Sequence, residues 1–256
     1  MKRKALRILI ILSLSLNLMG IVGSIMILQK KGGLPWLTRK LTEITSVNKV
    51  GVTRGDYSSI RLSVFAQLPA EPTDIIFLGD SILDFGEWHE FMNDHRAKNR
   101  AINGDDTSTI LKRLNSIVEG SPRHIVLLCG INNFQKRIPY AKTTTEYSQI
   151  VKTISAKSPS THLWLLSVLP VNTVLYEKWI VPDHPGINMP PRDQVVALNT
   201  YIKDLAGGNP HIHFVALSDL LGPTGELQET YTIDGLHLNG AGLKKVAEYL
   251  KHLVEH

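Results

Sequence analysis

Four short motifs carry residue types that could do chemistry together. Gly79-Asp80-Ser81 follows an apolar run, and a serine on a tight strand-to-helix turn presents its hydroxyl as a nucleophile. Asn103-Gly104-Asp105-Asp106-Thr107 offers a glycine amide, and Gly130-Ile131-Asn132-Asn133 offers a side-chain amide. In Asp234-Gly235-Leu236-His237 a carboxylate stands three residues before an imidazole. At that spacing the acid can orient the ring through Nδ1 and stabilise the imidazolium formed when Nε2 takes a proton. Each motif alone also reads as ordinary structure. Ser81 would cap a helix, Asn103–Thr107 and Gly130–Asn133 would be turns, and Asp234–His237 would be a surface turn. Their weight lies in combination, because all four fall where a strand ends or a helix begins.

The elements that must position them follow from apolar patterning. Short apolar runs at Ile75–Leu78, Ile125–Cys129, Leu163–Leu169 and Ile212–Leu217, with a weaker one near Arg100–Ile102, are of strand length. Thr107–Val118, Tyr140–Ser155, Arg192–Leu205 and Ala241–Val254 space their apolar residues on one helical face. Continuous apolar strands alternating with helices predict a parallel sheet covered on both sides. The expected fold class is therefore α/β, a three-layer α/β/α domain of about five parallel strands, whose sites gather at the carboxyl ends of the strands.

The first residues differ from the rest. Of 28 Lys and Arg, six (Lys2, Arg3, Lys4, Arg7, Lys30, Lys31) lie in residues 1–31, where there is no acid. The remainder carries 22 cations against 23 acids. A near-neutral body has no electrostatic footprint for nucleic acid. Ile8 to Leu28 is 21 residues without a charge, long enough as a helix to span roughly 30 Å of hydrocarbon. The flanking cations predict a signal anchor with its N-terminus in the cytoplasm and the body outside. A cleaved signal peptide is the competing reading, with Val22-Gly23-Ser24 as small residues at the cut. The expected division is residues 1–31 as basic stub and transmembrane helix, 32–73 as juxtamembrane spacer with a helix at Tyr57–Gln67, and 74–256 as the catalytic domain. The single cysteine, Cys129, excludes an intrachain disulfide and a Cys-based zinc cluster.

Other constellations rank lower. The elbow G-x-S-x-G is absent around Ser81, as are a P-loop and G-x-G-x-x-G. His89-Glu90 with His95 has the wrong spacing for a zinc helix, and His211-x-His213 lacks an evident third ligand. No cofactor and no metal is expected. Trp88, Tyr140, Trp179 and the Pro-rich stretch Val181–Pro191 could line a substrate cleft or form a capped loop.

Gly79-Asp80-Ser81, Gly104, Asn132 and Asp234-x-x-His237 occur in the order of the four motif blocks of the SGNH hydrolases, also called the GDSL esterase/lipase family. The resemblance covers about residues 56–254. Through Ile75–Ser81, Asn99-Arg100, Ser167–Asn172 and Tyr231–Asn239 the chain looks like the branch of acetylhydrolases and sialate O-acetylesterase-like proteins. Two positions depart from the family pattern. Asn133 stands where the family usually has Asp, and Asn103-Gly104-Asp105 where it often has Ser-Gly-Asp. The resemblance implies a flavodoxin-like SGNH-hydrolase fold and a catalytic triad of Ser81, His237 and Asp234. It also implies an oxyanion hole made of the N–H groups of Ser81 and Gly104 and the amide of Asn132. The activity expected is a membrane-tethered serine esterase acting on short acyl groups, such as acetyl esters of carbohydrate or of a small lipid. The alternatives are an envelope O-acyltransferase with the same triad, and a catalytically silent envelope-binding module. The partners expected are a small-molecule or glycan ester and, through the N-terminal helix, a membrane.

Overall fold

The computed structural model describes residues 56–254 and five isolated positions between residues 26 and 34. Apart from Met26, the expected spanning segment lies outside the described residues. Among the described residues no helix is long and apolar enough to cross a membrane. The chain divides between Arg54 and Gly55. In the second unit, helix α1 (Tyr57–Gln67) precedes strand β1 (Ile75–Gly79), after which come α2 (Ser81–Asp84), α3 (Trp88–Met92) and β2 (Ala97–Asn99). Then follow α4 (Thr107–Arg113), α5 (Asn115–Val118), β3 (His124–Leu128), α6 (Ile131–Gln135), α7 (Tyr140–Lys157) and β4 (His162–Leu166). The chain continues through α8 (Thr173–Asp183), α9 (Arg192–Ala206), β5 (Ile212–Val215), two 3-10 turns (Ser218–Leu220 and Glu229–Tyr231) and α10 (Gly240–Val254).

The five strands form one sheet in the order β2-β1-β3-β4-β5, with every pair parallel. From β1 the chain moves outward to β2, then returns past β1 to β3, β4 and β5. Because parallel crossovers are right-handed, this reversal puts the α2–α3 connection on one face and α4, α7 and α9 on the other. Contacts agree: α7 packs on α4 and on α9, whereas α10 joins α3. All five residues of β1 and of β3 are buried. Each large apolar side chain so buried contributes about 1.5–3 kcal/mol. The outer helices supply matching stripes: Val195, Leu198 and Ile202 on α9, and Leu243, Val246, Ala247, Leu250 and Val254 on α10.

Three expectations shift. The weak second strand is Ala97–Asn99, ahead of the Arg100–Ile102 run, since the Ile75↔Ala97 register pairs it earlier with β1. The helix expected over Thr107–Val118 breaks at Leu114 into α4 and α5. Trp88 is a core residue, not a cleft wall: it is 1% exposed, stacks on Phe77 at 4.3 Å and donates to Leu83 O at 2.7 Å.

At the amino end of the sheet, parallel register stacks aromatic nitrogen rings side by side. His124 faces His162, and Trp164 faces His213 with centroids 4.1 Å apart. Trp164 donates to His124 Nδ1 at 3.1 Å, and His162 Nδ1 lies 3.1 Å from His213 Nε2. The His162 and His213 rings are 10° from parallel with centroids 5.4 Å apart, the geometry of one in-plane N–H···N bond. Among the described residues no group of three His, Cys, Asp or Glu could hold a metal ion.

Burial, with His162, Arg123, Arg96 and His213 adding their repulsion, pushes His124 down to about 4. His162 and His213 are also lowered, burial again being the main cause. Unfolded imidazoles take up protons near pH 6.5, so between about pH 6.5 and 4 the unfolded chain binds more protons than the folded one. Stability present above pH 6.5 is therefore lost as the pH falls towards 4. His124→Gln keeps an acceptor for Trp164 and removes one of these groups. Its melting temperature is expected to fall less than that of the wild type between pH 7 and pH 4.5. Parallel declines would show that His124 does not resist protonation in the fold.

Candidate active site

The strand-order reversal leaves a crevice outside the carboxyl ends of β1 and β3, where ligands of such sheets bind. Ser81 follows β1 and Asn132 follows β3. Asp80 makes the turn after β1 by capping α2, its Oδ1 accepting from Ile82 N–H at 3.1 Å. Ser81, the first residue of α2, is 3% exposed. Its Oγ lies 3.0 Å from His237 Nε2, and His237 Nδ1 lies 2.6 Å from Asp234 Oδ2. With His237 Nδ1–H donating to the Asp234 carboxylate, Nε2 is the acceptor for the Ser81 hydroxyl.

The Asp234–His237 loop is held on every side. Asp234 Oδ1 accepts from the N–H groups of Leu236 (2.9 Å) and His237 (2.8 Å). Burial pushes the Asp234 carboxyl up, but the bonds from His237 and from these backbone donors outweigh it and hold the group below its usual range. Thr232 Oγ1 accepts from Gly235 N–H and donates to His237 O. Gly235 has φ +89°, and a Cβ there would sit 2.5 Å from Tyr176 N, so only glycine lets the loop meet the start of α8.

The second wall is the 103–107 segment. Gly104 takes φ +80°, and a Cβ added there would meet nothing within 4 Å. Conformation rather than space therefore calls for glycine, and the room above it is open. Asn132 donates from Nδ2 to Asp105 O at 2.9 Å, tying α6 to this segment, and the amide has a second hydrogen. Asn133, one of the two departures noted in the sequence, is fully buried. Its Oδ1 accepts from Thr107 N–H and its Nδ2 donates to Thr107 Oγ1 at 2.6 Å, while that hydroxyl donates to Glu146. An ionised carboxylate could not make the second of these bonds. Lys136 Nζ donates to Gly104 O (2.7 Å) and to Asp106 Oδ2 (2.8 Å). Burial raises Asp106, yet bonds from Lys136, Ser108 and Thr109 N–H prevail and hold it at about 2.

Around Ser81 several charges are buried. Arg113 pairs with Asp105 at 2.8 Å and donates to Arg100 O and to Gly79 O at the end of β1. Burial raises the Asp105 carboxyl, an effect Arg113 only partly offsets. Asp80 is completely buried, and its Oδ2 has no hydrogen-bond partner. Burial pushes this carboxyl to about 7, although Ile82 N–H and His237 pull it down.

Of the residues singled out in the sequence, Ser81, His237 and Asp234 are brought into one hydrogen-bonded chain. Asn132 is tied to the segment that carries Gly104 through its bond to Asp105 O. Trp179 is half exposed on α8, and Tyr140 lines a cleft of about 400 Å³ with Phe134, Arg137, Asn188, Met189 and Gln194. Only the first three residues of the expected Pro-rich stretch are helical: α8 runs to Asp183 with Pro182 in its last turn, and 184–191 follow as turn and extended chain. Asn172, which caps α8 by accepting from Leu175 N–H, was a readable signal for it. Arg113, Lys136 and Asp84 were missed, because nothing in their local sequence separates them from solvated charges.

The model of the GDSL-like lipase/acylhydrolase family matches residues 77–245. No curated protein matches the chain. A structure from Streptococcus pneumonia described as a candidate platelet activating factor is 24% identical with a TM-score of 0.69, covering 85% of this chain and 98% of that one. A GDSL-like lipase from Bacteroides thetaiotaomicron is 21% identical with a TM-score of 0.63, over 78% of this chain and 97% of that one. A family 3 carbohydrate esterase from Clostridium thermocellum is 16% identical with a TM-score of 0.53, over 72% of this chain and 97% of that one. At these identities the likeness establishes the fold.

A serine hydrogen-bonded to an imidazole should react with an electrophilic phosphorus probe. A fluorophosphonate is expected to label Ser81, with no labelling in Ser81→Ala and labelling slowed about a hundredfold or more in His237→Ala. Equal labelling rates in the wild type and His237→Ala would mean that His237 does not activate Ser81.

Proposed function

The chain belongs to the GDSL-like lipase/acylhydrolase family of serine hydrolases acting on esters, and from that premise we infer that Ser81, His237 and Asp234 are its catalytic triad. The observation that carries this reading is the pair of distances, 3.0 Å from Ser81 Oγ to His237 Nε2 and 2.6 Å from His237 Nδ1 to Asp234. Ser81 attacks the ester carbonyl as His237 takes its proton, and Asp234 stabilises the imidazolium so formed. The N–H groups of Ser81 and Gly104 and the Asn132 amide receive the developing oxyanion. His237 then protonates the departing alcohol, leaving Ser81 acylated. Water enters, gives its proton to His237 and attacks the acyl carbonyl, and the acid leaves as Ser81 recovers its proton.

The substrates in this reading are short acyl esters, above all acetyl O-esters of a carbohydrate or of a small lipid. The tightness of the reacting centre supports a small acyl group: Ser81 is 3% and Asn132 8% exposed. The apolar segment 8–28 supports a tether that holds the domain outside the cytoplasm, with the N-terminus inside.

With p-nitrophenyl acetate, the full chain is expected to show activity that vanishes in Ser81→Ala. Asn132→Ala is expected to lower kcat about a hundred- to a thousandfold with little change in KM. An unchanged kcat would remove Asn132 from the oxyanion role. Acyl release only when a sugar acceptor is added would assign the chain to acyl transfer instead.

A further inference from the structure

The family match begins at residue 77, yet α1, wholly ahead of it, is linked through Asp84 to the segment that carries Gly104. The junction is Asp84, the last residue of α2, three positions after Ser81. Its side chain is 1% exposed. Asp84 Oδ2 accepts from Tyr57 Oη at 2.6 Å and from Asn103 N–H at 2.9 Å, and Oδ1 lies 3.3 Å from Arg61 Nη2. Arg61 also donates to Asn99 O and Ala101 O, and Asn99 Nδ2 donates to Asp84 O at 2.9 Å. One carboxylate thus joins α1, the nucleophile's helix and the strand β2 exit.

We propose that Asp84, steadied by Tyr57 and Arg61 of α1, is a positioning residue that presets the Gly104 N–H for the oxyanion. This rests on the reading of Gly104 as an oxyanion donor. The donor belongs to the peptide linking Asn103 and Gly104. That peptide is pinned on both sides, because Asp84 holds the Asn103 N–H before it and Lys136 holds the Gly104 C=O after it. A glycine at φ +80° has wide backbone freedom, so without the pins the N–H would sample other directions. Donors stabilise a transition state most when they need no reorganisation. The phenol of Tyr57 is pushed up to about 12 by burial and by its bond to Asp84, so it remains a donor throughout the working range of an esterase.

The test compares kcat and KM on p-nitrophenyl acetate for Asp84→Ala, Asp84→Asn, Tyr57→Phe and Asn132→Ala in the full chain. Asp84→Ala is expected to lose about tenfold or more in kcat with KM within twofold, the pattern of an interaction made only in the transition state. Asp84→Asn, which retains an acceptor for Asn103 N–H, should recover most of that loss. Tyr57→Phe, at a partly exposed position, should cost about two- to fivefold in kcat. It decides the matter if Asp84→Ala does not fold. Wild-type kcat in folded Asp84→Ala, or in Tyr57→Phe where that variant decides, would overturn the positioning role. If Asn132→Ala is impaired beside them, the oxyanion reading survives that result. If Asn132→Ala is silent too, both fall.

Discussion

The whole arrangement depends on β1 lying between β2 and β3 in a parallel sheet. A chain that leaves a central strand first to one side and then to the other must open a crevice at that strand's carboxyl end, because successive connections pass to opposite faces. Ser81 stands on the turn leaving β1, the 103–107 segment returns from β2, and Asn132 stands on the turn leaving β3. The three walls are consequences of strand order. Only the Asp234–His237 loop has to be brought in from elsewhere, and Thr232, Gly235 and the start of α8 supply the contacts that do so.

The same crevice gathers acids that would repel one another in the absence of partners. Asp105 pairs with Arg113, Asp106 with Lys136 and Asp84 with Arg61. Arg113 and Asp105 are buried on both sides, and removing one partner of such a pair typically costs about 3–5 kcal/mol, since it strands the other charge. These pairs therefore act as fasteners that pin loop to strand rather than as net sources of stability. Asp80 is treated differently. Its Oδ2 has no hydrogen-bond partner, and burial pushes the carboxyl up to about 7 against the pull of Ile82 N–H and His237.

Much of this was legible in particular residues. The runs Ile75–Leu78 and Ile125–Cys129 announced buried parallel strands because both faces of such a strand meet apolar layers. The Asp234-x-x-His237 spacing announced its own hydrogen bond, since three residues within one turn cannot separate far. Other features were not legible. The β2 boundary moved because only pairing with β1 selects which extended residues enter the ladder. Trp88 was read as a cleft candidate because an aromatic residue in a short helix looks the same whether it covers Phe77 or faces solvent.

Strand and helix alternation, helix caps and the turns that carry Ser81, Gly104 and Asn132 are local, set by side-chain period and by backbone preference. For that reason the α/β fold class and the candidate site residues could be read from the residues alone. Only the packed chain brings His237 to Ser81 across 156 positions, joins α1 through Asp84 to the Asn103 N–H, and buries Asp80 with its Oδ2 unpartnered. The physical reason is the same in each case. A hydrogen bond between distant segments, and the loss of water around a charge, depend on what the rest of the chain lays against a residue, and no local pattern encodes that.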